Sequence, residues 1–248
     1  MITLNKKILP ILLPLIIVIF WYIFTVPIVL VPNYVMPSPI MVVTSAYQLI
    51  ISGKLFTHLI STLIKVLSGL LLASVMAIPL GVLLGWSQNL EDMSKFVVGI
   101  LRPIPPVAWI PFSILWFGIG LIPGIFIIFM GCFFPILIYT IDGVKRTDKV
   151  LIEAGKTLGA SNFQTITKII FPSSIPTIIS GLKVGVGIAL MCTVTAEMVA
   201  SNSGLGYLIM NSSQLFDTGA VVVGMLSIGI IGLIFDLIFK KIQNKIFW

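Results

Sequence analysis

Two long segments of this sequence contain no charged side chain, residues 8–53 and residues 103–141. A helix crosses the hydrocarbon core of a membrane with about 20 apolar residues, so both segments are long enough to span it. Over all 248 residues, 58% are hydrophobic and 9% are charged, which is too little charge for the surface of a soluble domain. The sequence therefore predicts an all-α integral membrane protein with a single transmembrane domain over residues 1–248.

Breaks in the apolar runs divide the chain into six predicted spans. Glycine and proline interrupt the second uncharged segment near Gly118 and Pro123, so two spans are expected there. Residues 32–57 contain three prolines and are expected to form a loop with a short interfacial helix. The charged run SQNLEDMSK is expected to end the second span. The six spans are predicted at about residues 8–31, 59–86, 103–119, 122–141, 176–199 and 220–239.

The distribution of lysine and arginine predicts which side each loop faces. Six spans put both termini on one side, and thirteen of the fifteen basic residues then fall on that same side. Only Lys54 and Lys65 fall on the other. Because basic residues concentrate in cytoplasmic loops, both termini and residues 142–172 are expected to be cytoplasmic. The net charge of +7 has the same explanation, so nucleic-acid binding is not predicted.

The least apolar long stretch of the chain, EAGKTLGASNFQTITKIIFP at residues 153–172, lies in this cytoplasmic segment. Gly159 suits the left-handed conformation that ends a helix. Ser161 and Gln164 have the spacing of a capping box that starts a second helix, and Pro172 is expected to end it. The pattern predicts helix, glycine corner, helix. In the first helix one face is apolar and contains Val150, Leu151, Ala154, Gly155 and Leu158.

Three functions fit a helix–corner–helix segment of this kind. It is a connector packed on its own bundle, a DNA-binding helix-turn-helix, or a docking element whose apolar stripe enters a groove on a partner. Tethering to membrane spans at both ends argues against DNA binding. Shape alone leaves the connector and the docking element open.

The same stretch resembles a motif of the membrane subunits of ATP-driven importers, E-A-A, three residues, G, nine residues, I-x-L-P. Glu153, Ala154 and Gly155 align with its start, Gly159 with its glycine, and residues 169–172 with its end, so the spacing matches at every position. Gly155 and Phe171 replace the usual alanine and leucine. In that family the first helix couples the permease to an ATPase subunit. The resemblance thus implies that the ATPase-coupling residues are Glu153, Ala154, Gly155, Leu158, Gly159 and Ala160.

Further segments resemble the branch of this family that imports nitrate, sulfonate, taurine, bicarbonate and thiamine precursors. They include MPSP, HLISTLIKVLSG, LRPIPPVAWIPFSILWFGIG, AEMVAS and GLGYLI. The resemblance implies a type I ABC importer (MetI-like) permease fold in a prokaryotic plasma membrane. It implies a homodimer with two copies of an ATP-binding cassette subunit and an extracytoplasmic substrate-binding protein. A small polar solute would then cross by alternating access.

The chain itself contains no recognisable catalytic set. GKT at residues 155–157 resembles the end of a phosphate-binding loop, but Val150 stands where that loop needs glycine. One histidine and two cysteines, Cys132 and Cys192 in apolar runs, do not suggest a metal site or a disulfide. We therefore expect no enzyme activity and no cofactor on this chain, with ATP and magnesium bound by the partner subunit. The main alternative is an ion-coupled secondary transporter, followed by a membrane enzyme.

Few residues stand out as candidates for the translocation path. Residues 102–111 contain four prolines, and irregular backbone at membrane depth survives only beside protein or water. The segment is either part of the path or dimer interface, or simply a turn into the membrane. We assign the path or gate to Pro105, Pro106, Trp109 and Glu197.

Four charged residues lie within the predicted spans. Glu197 is an acid near the outer end of the fifth span, and it serves either a transport function or a gate and packing role. Lys65 is expected to snorkel or to face protein, and Lys183 to snorkel toward cytoplasmic headgroups. Asp236 is expected to pair with a neighbour at a helix end.

Overall fold

The computed structural model describes residues 9–27 and 32–246, and every regular element in them is helical. This confirms the all-α prediction for that part of the chain. The helices in order are α1 (Leu9–Thr25), α2 (Pro39–Ile51), α3 (Lys54–Trp86), α4 (Gln88–Leu101), α5 (Ile110–Phe117), α6 (Leu121–Lys145), α7 (Lys149–Thr157), α8 (Asn162–Thr165), α9 (Phe171–Ala200), α10 (Leu205–Gln214) and α11 (Thr218–Ile246). A 3-10 turn covers Pro106–Trp109, and a π-turn covers Ile166–Ile170.

Among the described residues, four helices are long and apolar enough to cross a membrane: α3, α6, the continuous helix Asn162–Ala200, and α11. The number is five if the bent pair of shorter helices is counted as one span. The predicted first span, residues 8–31, lies partly outside the described residues. Its described helix α1 has 17 residues and rises about 26 Å, slightly less than the hydrocarbon thickness. The count of six spans therefore stays a prediction.

The predicted third span, residues 103–119, is not one straight helix. The segments Gln88–Leu101 and Pro106–Phe117 meet at an angle of 81°, and α5 has only eight residues, which rise about 12 Å. Clustered prolines explain the bend, because each removes a backbone donor and clashes with the preceding turn. The second long helix, α3, ends at Trp86, directly before the charged run SQNLEDMSK, and α4 begins after the single non-helical residue Ser87.

The sequence predicts that Pro172 ends the second helix of the polar segment. The structure shows that it does not. One continuous helix runs over Asn162–Ala200 and contains Pro172 within it. The π-turn just before the proline explains this result, because the Phe171 N–H reaches back five residues to the Ile166 carbonyl. The wider turn accommodates a residue that cannot donate its own hydrogen bond.

The core is formed by α3, α6 and α9, with α6 in the middle. Glycines let these helices approach closely, and α3 and α9 each contain a G-x-x-x-G pattern, at Gly81 and Gly85 and at Gly181 and Gly185. A Cβ on Gly81 of α3 would lie 2.6 Å from the Cβ of Thr140 in α6. A Cβ on Gly181 of α9 would lie 2.5 Å from the Cβ of Tyr139. The helices α7 and α10 lie at opposite ends of this core, which we call the α7 end and the α10 end.

Candidate functional site

The polar segment at the α7 end has the predicted helix, corner and helix. Asp148 caps α7, where its carboxylate accepts a hydrogen bond of 2.9 Å from the Val150 N–H. Gly159 has a φ of 81°, in the left-handed region that glycine adopts without strain. Ser161 and Gln164 form the predicted capping box, with both reciprocal bonds present at 2.9 and 3.3 Å. Local sequence signals thus set each boundary of the corner.

The outer face of α7 is apolar and uncovered. Leu158 is 88% exposed and Val150 is 67% exposed, while Leu151 is half exposed. Ala154 is exposed on the same face, and Glu153 is exposed beside it. Burying large apolar side chains of this kind is favourable, so a partner that covers them gains binding free energy.

The inner face of α7 fixes the helix against the bundle. Ile152 packs against a small buried cluster of Val82, Val144 and Ile170, contributed by α3, α6 and the π-turn. Gly155 lies against Ile169, and a Cβ at this position would collide with the end of the Ile169 side chain. The departure from alanine at position 155 therefore has a packing reason. The half-buried Ala160 donates its N–H to the Gly155 carbonyl at 3.0 Å, which tightens the corner.

A buried ion pair lies at the α10 end, between Lys65 of α3 and Glu197 of α9. The Lys65 Nζ lies 3.0 Å from Glu197 Oε1 and 2.7 Å from the Ser201 hydroxyl oxygen, and both charged residues are fully buried. The carboxylate also accepts hydrogen bonds of 2.9 Å from the Thr62 hydroxyl and the Gly206 N–H. The sequence leaves open whether Lys65 snorkels or faces protein, and in the structure it faces protein.

The sequence marks Glu197 as an acid within a predicted span, but no sequence pattern pairs it with Lys65 or Thr62. The pairing spans 132 residues, and no local pattern reports a contact at that separation. The one sequence feature that favours this pairing is that Lys65 and Glu197 both lie near the outer end of their predicted spans. Glu197 makes these contacts with α3 and α10, and not with the proline-rich segment that was grouped with it.

Neighbouring polar groups fasten the loop between α9 and α10 onto α3. The Gly204 N–H donates to His58 Nδ1 at 3.1 Å, and the Leu205 N–H donates to the Thr62 hydroxyl at 2.8 Å. The hydroxyls of Ser61 and Ser203 lie 2.8 Å apart. Together with the ion pair, these hydrogen bonds hold the loop and the start of α10 against α3.

The proline-rich segment lies along α6, away from the ion pair. Trp109 lies within 6.4 Å of the Phe126 ring, measured between centroids, and Pro106 borders a cavity of about 320 Å³. Pro105 is exposed. The four residues assigned to the path or gate thus fall into two separate groups.

The other charged residues predicted within spans are paired. Asp236 contacts Lys183 at 2.9 Å and Lys240 at 2.8 Å, so its expected pairing is confirmed. Lys183 was expected only to snorkel toward cytoplasmic headgroups, but its ammonium pairs with the Asp236 carboxylate. Cys132 and Cys192 are free, buried thiols. Among the described residues, no group of three His, Cys, Asp or Glu side chains is placed to hold a metal ion.

Several proteins of known family are similar to this chain. A putative ABC transporter permease protein of Methanocaldococcus jannaschii is 48% identical over 197 residues, which cover 79% of this chain and 74% of that protein. The putative aliphatic sulfonates transport permease protein SsuC of Bacillus subtilis is 33% identical over 235 residues, 95% of this chain and 85% of its own. The taurine transport system permease protein TauC of Escherichia coli is 31% identical over 194 residues, 78% and 70% of the two chains.

The fold is also that of a solved transporter structure. A chain of the methionine ABC transporter MetNI, in an inward facing conformation, superposes with a TM-score of 0.69 at 19% identity, over 76% of this chain and 94% of that one. Residues 69–248 match the family described as binding-protein-dependent transport system inner membrane component. The chain therefore belongs to that family, and it is a multi-pass membrane protein that serves as a permease component of an ABC importer.

Proposed function

We propose that this permease couples to two copies of an ATP-binding cassette subunit through the α7 corner. The coupling residues are Glu153, Ala154, Gly155, Leu158, Gly159 and Ala160. The observation that carries the proposal is the uncovered apolar face of α7, held rigidly by Ile152 on its other side. A short helix of this shape suits a hydrophobic groove on a partner. Closure of the ATPase pair around ATP and magnesium would then move this corner and, with it, α6 and α9.

The proposed assembly is a homodimer with both termini and the α7 end in the cytoplasm. The bias of thirteen basic residues against two supports this orientation. The α10 end then faces outward, where an extracytoplasmic binding protein would deliver solute. We propose that Glu197 acts at an outer gate by holding the loop before α10, and that Pro105, Pro106 and Trp109 border the path.

The proposed cargo is a small polar solute. Relatives are named for transport of aliphatic sulfonates and taurine, and one from Halalkalibacterium halodurans for formylaminopyrimidine. These solutes share small size and polarity. Cargo of this kind needs a path that shields polar groups from lipid, and a pathway between two permease copies would supply it.

Reconstitution tests this proposal. The chain, its cognate ATPase subunit and its binding protein are placed in proteoliposomes, and uptake of labelled taurine, methanesulfonate and formylaminopyrimidine is measured with and without ATP. We expect uptake of at least one solute only with ATP and all three components. The chain alone should not bind ATP, because it has no glycine-rich phosphate loop. ATP binding by the isolated chain, or uptake driven by an ion gradient without the ATPase, would contradict the proposal.

A further inference from the structure

A cavity of about 320 Å³, partly open to the surface, lies among the α4–α5 connection, α6 and α9, and the Arg102 side chain on its rim is exposed. Its volume is at the lower end of the range of about 300–1,000 Å³ for small-molecule sites. Arg102 and Pro106 border it from the connection, Phe134 and Tyr139 from α6, and Val184 and Ile188 from α9. Among the described residues that line it, Arg102 is the one that carries a charge.

Within the described residues, the Arg102 guanidinium forms no ion pair. The acids on its own helix are already engaged, because Glu91 contacts Lys145 at 2.6 Å and Asp92 contacts Lys95 at 2.7 Å. Arginine is always charged and presents a planar fork of donors. Arg102 is therefore an unused anion-binding group at the edge of a cavity with mostly apolar walls.

Arg102 also borders a second cavity, of about 290 Å³, which extends toward the charged residues of α4 and α6. Asp142 and Lys145 belong to this second cavity and not to the first. Arg102 thus lines both cavities, and the second one adds the charged residues Glu91, Lys95, Asp142 and Lys145.

The back of the first cavity has a polar feature of its own. Gly131 keeps α6 close to its neighbours, because a Cβ there would lie 2.7 Å from Cys192 Sγ and 3.3 Å from Pro106 Cγ. Pro135 has no N–H, so it leaves the Gly131 carbonyl without its regular helical donor. Gly131 and Pro135 both line the cavity, so a backbone acceptor that lacks its helical donor belongs to this part of the wall.

We propose that this cavity is a translocation subsite for a small organic anion, whose sulfonate or carboxylate group binds the Arg102 guanidinium. The inference rests on the proposed importer function and narrows its cargo to anions. A carboxylate or sulfonate matches the guanidinium fork through two parallel hydrogen bonds. The carbon skeleton packs against Phe134 and Tyr139. A lipid phosphate has the same chemistry as the anion, so the test separates the two occupants.

The test uses the complete importer in proteoliposomes and compares wild type with Arg102→Gln, Arg102→Lys and the control Arg146→Gln. Arg146 is a second arginine near the α7 end and does not border this cavity. We expect ATP-driven uptake of taurine or methanesulfonate to fall at least about tenfold in Arg102→Gln, because a charge-assisted hydrogen bond is lost. Arg102→Lys keeps the positive charge but loses the planar guanidinium, so its rate of anion uptake lies between those of wild type and Arg102→Gln. Arg146→Gln stays within about twofold of wild type.

ATP hydrolysis stimulated by the loaded binding protein is measured on the same samples, and it should stay within about twofold in Arg102→Gln. Anion uptake at the wild-type rate in that variant overturns the subsite and leaves the importer function standing. Uptake of formylaminopyrimidine without uptake of taurine or methanesulfonate also overturns the subsite and leaves the importer function standing. Equal loss of uptake for charged and uncharged solutes assigns Arg102 to lipid and also overturns the subsite. Absence of ATP-driven uptake by wild type overturns the proposed function and this inference together.

Discussion

Removal of one partner of the Lys65–Glu197 pair should destabilise the permease strongly. In Glu197→Gln, the Lys65 ammonium stays fully buried and keeps only neutral acceptors, such as the Ser201 hydroxyl 2.7 Å away. In Lys65→Met, the buried carboxylate keeps Thr62 and Gly206 as donors but loses its counter-charge. An uncompensated buried charge costs about 3–5 kcal/mol. At about 2–4 °C per kcal/mol for a chain of this size, each variant should melt roughly 6–20 °C lower.

The double variant Lys65→Met/Glu197→Gln should recover most of this loss. No charge is buried, and the glutamine carbonyl still accepts one hydrogen bond from Thr62 or Gly206. Replacing a buried ion pair by neutral groups of similar volume is often close to neutral. The exchange Lys65→Glu/Glu197→Lys should not recover stability, because a lysine at position 197 cannot accept the Gly206 N–H.

Thermal unfolding of the purified protein in detergent measures these differences, with Lys183→Met as the matched control. The Lys183–Asp236 pair is about one-third exposed, and Asp236 keeps Lys240, so the control should lose at most about 1 kcal/mol. A double variant that melts as low as the worse single variant would show that an unpaired buried charge is not the cause of the loss. An exchanged pair that melts at the wild-type temperature would show that the hydrogen bonds to the carboxylate at position 197 do not matter.

Two further predictions concern the α7 corner and the orientation. Gly159→Asp should insert in the membrane but lose ATPase copurification and uptake, because its side chain adds left-handed strain of about 1 kcal/mol and a charge beside the apolar face. Gly159→Asn, which tolerates that conformation and has no charge, should keep both, and wild-type coupling in the aspartate variant would contradict the account. In intact cells, an impermeant thiol reagent should label single cysteines at Tyr34 and Asn202 but not at Lys156, and labelling at Lys156 would reverse the orientation.

The α7 corner could be predicted from sequence because its determinants are local. The cap at Asp148, the glycine conformation and the capping box each depend on residues within four positions of one another. The helical class followed as directly from the apolar runs. These features do not depend on where the rest of the chain lies.

The effect of each proline on its helix could not be predicted from the sequence. Their effect depends on the neighbouring backbone, since Pro172 is absorbed by a π-turn while the prolines of residues 103–106 contribute to an 81° bend. Periodicity does not distinguish these outcomes. The partner of Glu197 and the cavity at Arg102 could not be predicted either, because both depend on how α3, α6 and α9 pack.

Cross-linking at Leu158 tests the central claim, that the α7 face docks on an ATPase subunit, most directly. Leu158 is 88% exposed, and both native cysteines are buried, so Leu158→Cys supplies the reactive thiol at the corner. With a maleimide–benzophenone reagent attached to this thiol and photolysed in membranes that contain the whole importer, we predict a covalent product of one permease chain and one ATPase chain, because the photoactivated ketone inserts into C–H bonds of whatever side chain lies against position 158. The control Leu71→Cys, exposed on α3, should give none. Failure of Leu158→Cys to cross-link, or an equal yield from Leu71→Cys, would contradict docking at this face.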